Sequence, residues 1–190
     1  DEAGMQAQIE HMRKVVDLCV RLGADHARIF AGGRIPEDRT HEECVEAVVY
    51  GLQESVKIAE DKGIRLSVEN HGQFGRTYEV FRGVMDAVPS LGITLHTSGI
   101  QRMTDDYLSM VRYFAPRIMH THLNDSRPRG EGERPQTVAL GEGELDIPAI
   151  IQIIEDADYS GYYNVEYGAG RGDPTPLIER SLEYLRKILS

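Results

Sequence analysis

Four short apolar runs end in a residue able to bind a metal or carry a proton. They are Glu69 after Ile64-Arg-Leu-Ser-Val, His96 after Ile93-Thr-Leu, His122 after Ile118-Met-His-Thr, and Glu166 after Tyr163-Asn-Val. A carboxylate among apolar neighbours is costly to bury unless it is paired or bound to a cation, so Glu69 and Glu166 are hard to dismiss as filler. A single histidine beside a strand end is ordinarily a hydrogen-bonded structural residue. Recurrence at one topological level alters that reading. Two glutamates and two histidines meeting at one mouth make a mixed oxygen and nitrogen ligand set for a divalent ion, with Mn, Zn, Co and Mg all compatible.

Positioning them requires strands that present their carboxyl ends to one side, and the hydrophobic pattern supplies these. Residues 5–22 carry Ile9, Met12, Val15, Val16, Cys19 and Leu22 at helical spacing, with Gly23 where a left-handed helix end belongs. A run at 26–31 follows. Thr40 and Glu43 form the spacing of a capping box that opens a helix to about Lys62, closed by Gly63. Strands are predicted at 64–69, 91–96, 117–123 and 162–167, and helices at 78–88, 104–114, 146–157 and 175–189. Asp146 and Asp173, each with a proline close behind it, open the last two helices. Serial strand-helix units imply a parallel sheet with right-handed crossovers, and no domain boundary is visible. One connection breaks the rhythm: 124–144, with Ser126-Arg-Pro-Arg-Gly-Glu-Gly-Glu-Arg-Pro135, is too polar to pack and reads as a mobile lid or a disordered stretch.

Composition excludes several classes. The 190 residues carry 21 Lys and Arg against 31 Asp and Glu, a formal charge of -10, which argues against a nucleic-acid surface. No apolar run approaches a membrane span, and no basic-then-apolar leader opens the chain, although Asp1 in place of Met suggests that something preceded it. Cys19 and Cys44 both fall in helical patterns, so a disulfide framework is not expected and a reducing, cytoplasmic setting is. Lys14, Lys57, Lys62 and Lys187 are assigned to helices, leaving no lysine at a strand end for a Schiff base. There is no Walker loop and no nucleophile elbow.

The segments Leu66-Ser-Val-Glu-Asn-His-Gly72, His120-Thr-His-Leu-Asn-Asp125 and Leu140-Gly-Glu-Gly-Glu-Leu-Asp146, with 150–166 behind them, resemble the xylose isomerase-like TIM barrels. That superfamily contains sugar isomerases, epimerases and related enzymes. The resemblance covers essentially the whole chain. It implies a parallel (β/α) barrel of TIM type, with residues 1–190 forming a single, incomplete domain that holds only the last five of eight strand-helix units. It also implies four ligands on successive strands, Glu, Asp, His and Glu. Glu69, His122 and Glu166 match the first, third and fourth. At the second, where the family usually shows Leu-Asp-Thr-Gly followed by His or Asn, this chain has Leu95-His-Thr-Ser-Gly99. His96 can still ligate, but it removes one negative charge, and Gly99 replaces a polar residue that often contacts substrate.

The activity implied is a divalent-metal-dependent isomerase or epimerase acting on a sugar or sugar derivative. A carbonyl would be polarised by the metal, and Glu69 or Glu166 would move a proton through an enediolate. Asn70, His71, Asp125 and Arg127 lie just past the ligand positions and would hold substrate hydroxyls. The loop 168–173, Gly-Ala-Gly-Arg-Gly-Asp, could cradle a phosphate. Two other readings stay open: a non-catalytic metal- or sugar-binding member of the family, kept alive by His96 and Gly99, and a metal-dependent endonuclease at abasic sites, disfavoured by the acidic balance. The partner expected is a small-molecule sugar, with no nucleic acid and no membrane. Five strands cannot close a barrel, so an amino-terminal segment or a second copy of the chain is expected to cover the strand at 26–31.

Overall fold

The computed structural model describes residues 2–33, 35–72, 74, 77–129, 135–167 and 172–190. They form two compact units, residues 1–94 and 95–190.

The first unit opens with α1 (Glu2–Leu22), which buries Ile9 and Val16 and leaves Leu22 exposed. Gly23 ends it at φ +69, and the return bonds Gly23 N to Val20 O and Ala24 N to Cys19 O close the last turn as expected for a left-handed cap. Strand β1 (His26–Ile29) is shorter than the run 26–31. Helix α2 (His41–Glu60) carries the predicted capping box: the Glu43 carboxylate accepts from Thr40 N at 2.8 Å, and Glu43 N donates to Thr40 Oγ1 at 3.2 Å. Lys62 falls in the turn beyond that helix, ahead of Gly63 at φ +71. Strand β2 (Arg65–Glu69) lies parallel to β1 and to β3 (Gly92–His96), which runs on into the second unit. Between β2 and β3, α3 (Tyr78–Ala87) contributes buried Phe81, Val84 and Met85.

Alternation decides which face does what. Leu66 and Val68 are buried apolar residues of β2, whereas Ser67 and Glu69 occupy its other face, also buried. Ser67 Oγ meets Thr94 Oγ1 at 2.6 Å and His26 Nε2 at 2.7 Å, so this interior surface is polar but satisfied.

In the second unit, α4 (Thr97–Gln101) follows β3 directly, an element the periodicity did not indicate. Helix α5 (Tyr107–Phe114) then begins three residues later than predicted, capped by Asp106 accepting from Ser109 N. A single 3-10 turn (Ala115–Arg117) leads into β4 (Ile118–Leu123). The polar connection is ordered where it is described, not the disordered stretch its composition suggested. Asp125–Arg127 (β5) pairs antiparallel with Gln136–Val138 (β6), and residues 130–134 between them lie outside the described residues. Helix α6 (Ile147–Glu155) is capped by Asp146, which accepts from Ala149 N at 3.0 Å, and it buries five isoleucines. Strand β7 (Tyr163–Val165) pairs parallel with β4, placing His122 opposite Asn164. Before α7 (Thr175–Ile188), the cap position is Pro174, and Asp173 instead accepts from Thr175 N at 3.0 Å.

Five strands, β1, β2, β3, β4 and β7, thus enter parallel pairings. No helix among the described residues is long and apolar enough to cross a membrane. Both cysteines are free.

Candidate metal centre

In the second unit, the ends of β3, β4 and β7 deliver His96, His122 and Glu166 to one place. Glu166 follows β7 immediately, its backbone held by Glu166 N donating to Leu123 O at 2.9 Å. Its two carboxylate oxygens divide between the imidazoles: Oε2 is 3.3 Å from His96 Nε2, and Oε1 is 3.6 Å from His122 Nδ1. Both histidine side chains are nearly buried, 12% and 11% exposed, while Glu166 at 36% reaches solvent. His120 stands edge-on to His122, ring centres 5.3 Å apart, and so supports that ring.

Asn124, which the sequence reading passed over, completes the cluster. Its Oδ1 accepts from Ser98 N at 2.7 Å, and because a backbone N–H can only donate, the amide orientation is settled. Thr97 Oγ1 reinforces it, lying 3.1 Å from Oδ1 and accepting from Asn124 N at 2.8 Å. Nδ2 therefore faces His96 Nε2 at 2.7 Å and Glu166 Oε2 at 3.3 Å. That amide hydrogen is satisfied when His96 Nε2 presents a lone pair, which in a neutral ring goes with the proton on Nδ1. A nitrogen lone pair then confronts a carboxylate oxygen at 3.3 Å, and a cation shared by the two stabilises such a pair. Two imidazoles and a carboxylate suit Zn, Mn or Co by donor chemistry.

Tyr167 fixes the other side of Glu166. Its hydroxyl lies within hydrogen-bond distance of Val138 O, Leu177 O and Ser181 Oγ, tying the end of β7 to β6 and α7. Burial pushes this phenol up from its ordinary value, which keeps it protonated as a donor.

Asp125 and Arg127 are turned to the following loop. Asp125 is buried, and its carboxylate accepts from Ser126 N, Gly141 N, Gly143 N and Leu145 N over 2.9–3.3 Å. This explains the Gly-Glu-Gly motif: a Cβ on Gly143 would stand 2.0 Å from Asp125 Oδ1. Gly141 sits at φ +80 with Tyr184 against it. Arg127 Nε donates to Glu142 O. Glu142 in turn pairs with Arg180, whose guanidinium holds its carboxyl below the ordinary range.

In the first unit, Glu69 is 3% exposed and its Oε2 is 3.2 Å from Arg28 Nη1. Arg28 also stacks on Phe30, 4.3 Å from the ring centre. Asn70 is buried beside Glu69, whereas His71 is exposed and its ring tilts against Phe30 at 5.8 Å. Arg28 was the second functional candidate missed. Its only signal was a charge inside an apolar run. The phosphate cradle suggested at 168–173 lies largely outside the described residues, since 168–171 are not among them.

Comparison with known proteins gives these clusters a context. Inosose dehydratase from Clostridium perfringens is 27% identical over 163 residues, 77% of this chain and 53% of that protein, so the chain spans about half the length of the curated relatives it matches. Among solved structures, the IolI protein with a bound zinc atom superposes with a TM-score of 0.79 at 19% identity, covering all of this chain and 72% of that one. D-allulose 3-epimerase from Methylomonas sp. gives 0.77 at 19% identity, covering 99% and 71%. These likenesses establish the fold, a fragment of a TIM barrel. The sequence profile of the xylose isomerase-like TIM barrel matches residues 1–188, and the chain belongs to that family.

Proposed function

We propose that this chain belongs to a divalent-metal-dependent enzyme that isomerises or epimerises a sugar or sugar derivative by moving a proton on the carbon beside a carbonyl. The observation that carries the reading is the Glu166 carboxylate set between His96 and His122 at the carboxyl ends of parallel strands. His96, His122 and Glu166 would hold the ion, with Glu69 as the fourth ligand by its matching place at the end of β2. When bound, a divalent ion supplies Lewis-acid polarisation of the substrate carbonyl. Glu166, the more exposed carboxylate, takes the proton from the adjacent carbon, and the electron pair moves onto the carbonyl oxygen to leave an enediolate. Return of a proton to the opposite face gives the epimer; return to the neighbouring carbon gives the isomer. Glu69, paired with Arg28, serves as the second proton carrier. Asn70 and His71, next to Glu69, hold substrate hydroxyls, while the carboxylate of Asp125 and the guanidinium of Arg127 act on the loop instead.

A second reading shares the first step. Relatives named inosose dehydratase match at 25–27% identity, and loss of the hydroxyl on the next carbon from the same enediolate, leaving as water with the proton that Glu166 took, would make this a dehydratase. The net charge of -10 continues to disfavour an abasic-site endonuclease.

The test is hydrogen exchange at carbon. Protein stripped with a chelator and reloaded with Mn, Co, Zn or Mg is incubated in deuterated water with a panel of ketoses and inososes. Deuterium entering beside the carbonyl only in the loaded protein is the expected result. Absence of exchange across the panel with every metal would overturn the reading, and the product formed distinguishes epimer, isomer and dehydrated compound.

A further inference from the structure

We propose that Asn124 is a positioning residue that sets His96 in its Nδ1–H tautomer and holds it beside Glu166. The inference rests on the proposed metal reading for its purpose, but not for its geometry.

Three observations assign the role. The Asn124 amide cannot turn over, because Oδ1 is held by Ser98 N at the start of α4. The backbone beneath it is locked as well: Thr97 Oγ1 lies 2.6 Å from Asn124 O and accepts from Asn124 N, so the ends of β3 and β4 are clasped by one buried threonine. The two hydrogens of Nδ2 then fall on the two groups that the site must bring together, His96 Nε2 and Glu166 Oε2. Asn124 is itself only 8% exposed, so its own amide is screened from competing water.

The consequence concerns the departure at position 96. A carboxylate offers lone pairs in every protonation state relevant near neutral pH, whereas a neutral imidazole offers one nitrogen lone pair and one N–H. Which nitrogen faces the site decides whether His96 can ligate at all. In water imidazole side chains favour the Nε2–H form, which would direct a hydrogen at Glu166 and hide the lone pair. Asn124 reverses that preference by donating to Nε2. The lone pair is thereby kept on the nitrogen nearest Glu166, and a cation entering there has only to displace one amide hydrogen bond.

The experiment reads the tautomer directly. Metal-free protein labelled with 15N-histidine is studied by long-range 15N–1H correlation at about pH 8.5, two units above the ordinary imidazole value of ~6.5, with His96 assigned by comparison with His96→Gln. The expected result is a protonated Nδ1 and an unprotonated Nε2. In Asn124→Asp the side chain keeps its bond from Ser98 N but can only accept, so His96 should change to the Nε2–H form while the amide spectrum stays folded. Asn124→Ala should drift the same way. Finding the Nε2–H form in the unaltered protein, or the same tautomer in Asn124→Asp, would overturn the proposal. Zinc titration of the unaltered chain, followed on the same signals, keeps the two ideas apart. Failure of zinc to move the His96 and His122 signals counts against the metal centre, whereas the tautomer decides on Asn124.

Discussion

In the proposed reaction Glu166 is the central residue of the second unit, because one carboxylate touches two imidazoles and one amide. Glu166→Gln keeps the shape and removes the charge. Turnover should fall about 100-fold or more, the usual scale of a lost acid-base group, with a smaller change in KM, and zinc affinity should fall with it. Steady-state kinetics and calorimetry check this; turnover within a few-fold would remove Glu166 from the mechanism. His96→Asp is the complementary change. Asn124 Nδ2 can donate to a carboxylate as readily as to an imidazole, so the fold should survive, and preference should move toward the harder ions Mn and Mg. Unchanged metal selectivity would show that position 96 is not a ligand. The proposed ligands were legible as candidates because each closes an apolar run, where a charged or titratable side chain needs a reason. Asn124 was not, since an asparagine just past a strand looks like an ordinary turn former. Arg28 was hidden because its partner Glu69 is 41 residues away and only strand pairing brings them together.

At the scale of elements, the helices and parallel strands followed from periodicity and caps, while two features did not. Helix α4 has five residues, too few for a helical stripe to show. The β5–β6 pair lacks apolar alternation, and its order comes from backbone pairing and from Asp125 gathering the N–H groups of Gly141, Gly143 and Leu145. That dependence is testable. Gly143→Ala would drive a methyl into the Asp125 carboxylate and against Ser126 O, and the loop should lose roughly 1–3 kcal/mol of stability. A melting temperature lower by several degrees is expected, and no change would mean that the loop yields freely. The Glu142–Arg180 pair ties the same loop to α7. Because Arg180 depresses the Glu142 pKa in the folded chain, this tie is fully present above the ordinary glutamate value of 4.5 and is lost as pH falls through the lower folded value. The pair is exposed, so solvent screens it and its contribution is small. Arg180→Ala should flatten the dependence of melting temperature on pH below the ordinary glutamate value of 4.5, and an unaltered slope would place the acid sensitivity elsewhere.

Over the whole molecule, burial grades the strands. Four residues each of β2 and β3 are buried, but β1 is only half-buried, with Phe30 beyond it 51% exposed, and β7 has no fully buried residue. Among the described residues β1 pairs with β2 alone and β7 with β4 alone. An edge strand presents unpaired N–H and C=O groups that water can reach. Exchange of backbone amides should therefore be slowest in β2 and β3 and faster in β1 and β7, by at least about tenfold where edge opening needs only local fluctuation. A dilution series adds the decisive arm. If two chains associate through β1, protection of residues 26–29 should rise with protein concentration while that of β2 stays constant. Protection of β1 equal to that of β2 at every concentration would show that β1 opens only when β2 does. The exposed edge would then be part of the cooperative core, and the case for a second chain covering it would fall.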